Sequence, residues 1–145
     1  MYLSDGDMKR FRNCIIDRKI RVAIDETERL LLPDSPLMAL ASVTKFKYGA
    51  ENVDVVRELT KERELINIYT YRPWNPFSKA IGYFDGKAIH INIKMLESFD
   101  YKKVVGLLIH EYSHYCGFTH GNNFVTEGKK KFSVPYWLSE NVIRF

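Results

Sequence analysis

The spacing of three histidines constrains this chain more than any other feature. His110 and His114 lie four residues apart and His120 follows six later, while the chain holds four histidines in all. An apolar run of Val104, Val105, Leu107, Leu108 and Ile109 precedes them, with Ser98 and Asp100 as candidate N-caps. That pattern predicts a helix reaching Cys116. At about 100° and 1.5 Å per residue, His110 and His114 fall about 40° apart and one turn along, so both rings can reach one point. Val104, Leu108, Tyr112, Tyr115 and Cys116 occupy the broad opposite side, which anchors the helix in a core and leaves the histidine edge facing a cleft. Gly117 stands where the helix end needs a left-handed residue, and the resulting turn can bring His120 back to the same point.

Three neutral imidazoles suit one zinc ion per chain, bound at about 2.0–2.1 Å with a fourth tetrahedral position open to water. Such an open set belongs to a catalytic site, because a structural zinc has all four positions closed. Water on zinc ionises near neutral pH, and Glu111, beside the ligands but not among them, can take that proton as general base. It can then return the proton to a leaving amine while the metal polarises the scissile carbonyl. The competing reading needs no metal, since histidines on an apolar helix can be packed and hydrogen-bonded by their neighbours. Against it stands the match of His110 to His120 to HExxHxxGxxH at every specified position. Five specified positions coincide at roughly one in three million per window if residues are equally frequent.

The 145 residues are one domain's worth of chain, so a single domain over 1–145 is expected. Hydrophobic residues at 46%, charged residues at 28% and five prolines exclude a largely disordered or collagen-like chain. The 22 Lys plus Arg against 18 Asp plus Glu leave +4, which permits acidic partners without calling for nucleic acid. No DNA-binding motif accompanies that charge. Cys14 and Cys116 are too few for a disulfide framework and are expected as reduced, buried thiols; Cys116 falls on the core side of its helix. Charges interrupt the N-terminal residues before any long apolar run, so neither a signal peptide nor a membrane span is expected; the cytoplasm is the default location, with signal-independent release as the alternative.

Apolar positions Phe11, Ile15, Ile20, Ile24 and Leu31 predict a helix from about Asp5 to Leu32. After the breaker Pro33-Asp34-Ser35-Pro36, a second helix is predicted through Leu40, Val43 and Phe46 to a C-cap at Gly49. Leu65 to Tyr71 reads as a strand closed by Arg72-Pro73-Trp74-Asn75-Pro76. Ala80–Phe84 and Ala88–Ile93 read as a hairpin around Asp85-Gly86-Lys87, with His90, Asn92 and Lys94 on its wet face. Tyr69, Tyr71, Trp74 and Phe77 form either a core or an aromatic subsite. Lys129-Lys130-Lys131 is expected as a solvated loop.

Over His110 to His120 the chain resembles the metzincin-like zinc metallopeptidases, and more closely small uncharacterised metallopeptidase-like proteins of phages and bacteria. The resemblance extends loosely to the Ala80–Ile93 hairpin, which would border the substrate cleft, and to Ser133-Val134-Pro135-Tyr136. Carried over by position, it makes His110, His114 and His120 the zinc ligands and Glu111 the base. It implies a minimal zincin-like α+β fold: N-terminal helices, a small twisted, mainly antiparallel sheet, the active-site helix and a short C-terminal subdomain. Metzincins place a methionine turn beneath the zinc, whereas Met1, Met8, Met38 and Met95 all precede the motif here. Val134-Pro135-Tyr136 is the candidate replacement floor, with the Tyr136 hydroxyl available to an oxyanion.

The expected function is therefore a zinc-dependent endopeptidase with a protein or peptide substrate. One alternative keeps the zinc but cuts amide bonds in cell-wall peptides. The other is a catalytically silent, metal-stabilised binding protein, which would have no use for Glu111. No oligomeric state follows from the pattern.

Overall fold

The computed structural model describes residues 3–5, 14–48, 51–75, 77–120, 123–127 and 130–145, with backbone alone for 3–5, 14, 48, 123–127 and 130–132. Its first half runs β1 (Leu3–Asp5), α1 (Cys14–Leu30), α2 (Pro36–Val43), β2 (Phe46–Tyr48), β3 (Glu51–Asn52), α3 (Val55–Thr60) and β4 (Ile66–Tyr71). The second half continues with β5 (Gly82–Phe84), β6 (Ala88–Asn92), α4 (Ile93–Ser98), α5 (Tyr101–Tyr115), β7 (Asn123–Glu127), β8 (Lys130–Ser133) and α6 (Val134–Val142).

Isoleucines at every second residue build the centre. Ile66 and Ile68 on β4 and Ile89 and Ile91 on β6 are all buried, as a period of two on one sheet face requires. They join Ile20 and Leu30 of α1 and Val104, Leu108 and Tyr112 of α5 in one core. The result is an α+β fold, and four of the six strand pairings are antiparallel among the described residues. There are two sheets rather than the one expected, ordered β1-β4-β6-β5 and β3-β2-β7-β8. In the first, β4 pairs in parallel with both β1 and β6. Loop 72–81 carries the chain past one strand width, so β5 returns at the edge and β6 fills the gap between it and β4. The expected hairpin forms with shorter strands: β5 begins at Gly82, not Ala80, and Ile93 already opens α4.

The second helix ends earlier than its apolar positions suggest. Ser35 caps α2 by accepting from Met38 N–H at 3.1 Å and Pro36 follows in the first turn, but Thr44 is already extended. From there a period of two takes over, with Phe46 buried and Lys47 exposed in β2. Pairing of β2 with β7 and an edge-on contact of Phe46 with Trp137, 5.0 Å between ring centres, outweigh the helical pattern. Gly49 lies outside the described residues. The first helix likewise begins at Cys14, while Asp5 belongs to β1 and Phe11 falls outside the described residues. Lys130 and Lys131 sit in β8, where pairing with β7 replaces the expected loop.

Helix α5 begins at Asp100, whose Oδ1 accepts from Lys103 N–H at 2.9 Å. Ser98 instead bonds back to the Met95 carbonyl inside α4. At the other end Gly117 adopts φ +95°, with Gly117 N–H donating to the His114 carbonyl at 2.9 Å and Phe118 N–H to that of Ser113 at 3.0 Å. This pair of bonds is the Schellman ending that a left-handed residue permits. Among the described residues no helix is long and apolar enough to cross a membrane.

Candidate metal centre

The last two turns of α5 carry His110, Glu111 and His114, and the turn at Gly117 returns His120 to them. One ring nitrogen of each histidine lies within 4.8 Å of the others. Ring centres are 5.2 Å apart for His110 and His114, 5.0 Å for His110 and His120, and 4.7 Å for His114 and His120. The three histidines are thus close enough to hold a metal ion.

Each ring is also tied from behind. His114 Nδ1 lies 2.7 Å from the Phe118 carbonyl oxygen, an acceptor that exists because the Gly117 turn folds the chain back. His110 hydrogen-bonds to the Pro135 carbonyl, and His120 Nδ1 lies 3.1 Å from Ser133 Oγ. Burial, reinforced by His114 and His120, lowers the His110 pKa to about 4. The His120 value is also lowered, first by burial and then by His114. Neutral rings with one nitrogen engaged in a hydrogen bond are the form in which imidazole ligates a metal. The donor set therefore fits a metal with a preference for nitrogen ligands.

Glu111 is 6% exposed and turns toward edge strand β5, where its carboxylate accepts a hydrogen bond from Phe84 N–H. Burial pushes its pKa up to about 7 against the opposing pull of that bond. The close approach of β5 depends on Gly82, since a Cβ there would stand 2.7 Å from the His90 carbonyl oxygen and 3.3 Å from Leu107. Tyr136, in the first turn of α6, places its ring centre 4.6 Å from His120 and 4.9 Å from His110. A helix thus delivers the segment that the sequence suggests as a floor.

Two open cavities meet here. One of about 550 Å³ is lined by the three histidines, Glu111, Tyr83 and Tyr136. The other, about 520 Å³, shares His110, Glu111 and Tyr136 and extends over Ile81, Phe99, Leu107 and Ile143. Lys79, Lys102, Lys103 and Glu140 also border the second cavity. A histidine-lined, more polar cavity thus adjoins a mainly apolar groove of similar size.

Other candidates lie elsewhere. His90 lines neither cavity: its ring stacks against Tyr83 at 4.7 Å and Tyr69 at 5.6 Å, and Nε2 lies 2.7 Å from Asp85 Oδ2. It is half-buried among these groups and does not simply face water. Asn92, expected on the wet face, is buried and caps α4 by accepting from Lys94 N–H. Trp74 and Phe77 are exposed, so they are not core, and neither lines a cavity at the histidines. Cys116 is buried as expected, and burial raises its thiol pKa despite the nearby Tyr112 hydroxyl and Arg63. The side chain of Cys14 lies outside the described residues.

Sequence reasoning did not find the acceptors behind the rings. The Phe118 and Pro135 carbonyls and the Phe84 amide leave no trace in residue identity, and Ser133 enters the sequence reading only as the start of the segment leading to Tyr136, with no role of its own. No protein-family model, no curated protein and no solved structure matches the chain.

Proposed function

We propose that the chain is a zinc-dependent endopeptidase acting on protein or peptide substrates. The observation that carries this reading is the convergence, around one cavity, of three histidine nitrogens within 4.8 Å and the separate, buried carboxylate of Glu111. His110, His114 and His120 would hold the ion, one per chain. Bound there, zinc supplies Lewis acidity toward a carbonyl oxygen and a water molecule. Glu111 receives the proton of the attacking water and returns it to the leaving amine, with the Phe84 amide orienting its carboxylate. Tyr136, beside His110 and His120, offers its hydroxyl to the developing oxyanion. The groove over Ile81, Phe99 and Leu107 supports a substrate with bulky apolar side chains, because it extends apolar surface directly from Glu111.

Zinc content and cleavage of a defined peptide library test the reading together. The parent should hold one zinc per chain, and His114→Ala should hold none. Glu111→Gln should keep its zinc while cleavage falls by about two to four orders of magnitude, the usual reach of general acid–base catalysis. Absence of zinc from the reconstituted parent, or undiminished cleavage by Glu111→Gln, refutes the assignment. Cleavage of cell-wall peptides alone would move the reaction to the amidase class.

A further inference from the structure

Four helices set a local standard for N-caps. Ser35, Asp54, Asn92 and Asp100, at the starts of α2, α3, α4 and α5, each accept a backbone N–H through the side chain. Ser133 occupies the same position before α6, with cap-like dihedrals of φ −66° and ψ 155°, yet its side chain makes no cap hydrogen bond. The buried hydroxyl lies instead 3.1 Å from His120 Nδ1.

We propose that Ser133 is a positioning residue of the metal centre, its hydroxyl withdrawn from helix capping to hold the His120 ring with Nε2 turned toward the ion. This rests on the zinc reading above. His120 has the greatest need of such a partner. His110 and His114 stand within helix α5, whereas His120 lies beyond the Gly117 turn and is exposed. The partners behind His110 and His114 are backbone carbonyls, so Ser133 is the side-chain partner of the set. A neutral imidazole ligating through Nε2 carries its proton on Nδ1, and the hydrogen bond made by Nδ1 determines that tautomer. The serine oxygen accepts this proton's hydrogen bond. Such partners orient a ligand and raise its basicity, and their loss typically weakens metal binding about 10–100-fold.

Two measurements on the full chain decide the matter. In the metal-free parent, nitrogen NMR of the His120 ring should place the proton on Nδ1, and Ser133→Ala should shift it toward Nε2. Chelator competition should then show zinc affinity about 10–100-fold weaker in Ser133→Ala and restored by Ser133→Thr, with the metal-free melting temperature unchanged in both. A parent proton on Nε2 overturns the proposal without any variant. So does a Ser133→Ala protein that melts earlier but binds zinc as tightly as the parent, because the Ser133 hydroxyl would then serve the fold and not the ion. If the parent binds zinc and only the Ser133 dependence is missing, the positioning role falls alone; if the parent binds no zinc, the metal reading falls with it.

Discussion

At the scale of single residues, Tyr136 separates chemistry from packing. Its ring lies against His110 and His120, but the residue is 51% exposed, so its hydroxyl contributes little to the core. Tyr136→Phe keeps the ring contacts and removes only the donor. Turnover should fall by about 10²–10³, the usual cost of losing one oxyanion donor, with zinc content and melting temperature close to the parent's. Unchanged turnover in a steady-state assay would reduce Tyr136 to a wall of the cavity. The histidines were legible in sequence because the i, i+4 spacing and the glycine are geometric statements about a helix and its end. Ser133 was legible only as the start of the segment Ser133-Val134-Pro135-Tyr136, and residue identity does not say where its hydroxyl turns. That direction depends on α6 starting beside His120, a tertiary fact.

Among the elements, the β5–β6 hairpin brings Gly82 and Phe84 to Glu111, and its turn depends on Asp85. Asp85 Oδ1 accepts from Lys87 and Ala88 N–H, each at 2.8 Å, while Oδ2 meets His90. The backbone amides, followed by His90, lower the carboxyl pKa to about 2 from an ordinary 3.8. A depressed carboxyl pKa stabilises the fold above the unfolded value, and that contribution disappears as pH falls through the folded value. The denaturation midpoints of parent and Asp85→Asn should therefore differ at pH 5 and converge from about pH 4 down to pH 2 and below. A gap undiminished between pH 5 and pH 2 would assign the effect to packing. The hairpin was readable from Asp85-Gly86 and the alternating isoleucines, but the insertion of β6 between β4 and β5 was not. Strand order is a matter of which strands become neighbours in space, and local alternation is the same for either neighbour. The early end of α2 has a similar origin: Leu40, Val43 and Phe46 fit a helix, and only the β7 pairing and Trp137 draw Phe46 into a strand.

Across the whole molecule, the candidate ion would join parts that come from opposite sides of one turn. His110 and His114 belong to α5, whereas His120 leads into β7, β8 and α6. The core does not depend on that junction. Ile66, Ile68, Ile89 and Ile91 pack with α1 and α5, and Phe46 meets Trp137, without help from the histidines. Removal of the metal should therefore leave a folded protein of lower stability, unlike small zinc domains that unfold without their ion. At free zinc about 100 times the dissociation constant, linkage predicts about 2.7 kcal/mol of stabilisation. For a chain of this size that raises the melting temperature by about 5–10 °C. Calorimetry of chelator-treated and zinc-reconstituted protein should show this shift, and His120→Ala should lose most of it while melting near the metal-free parent. Complete unfolding on chelation would make the site a structural staple. A shift unaffected by His120→Ala would place the ion away from the histidines that α5 and the Gly117 turn bring together.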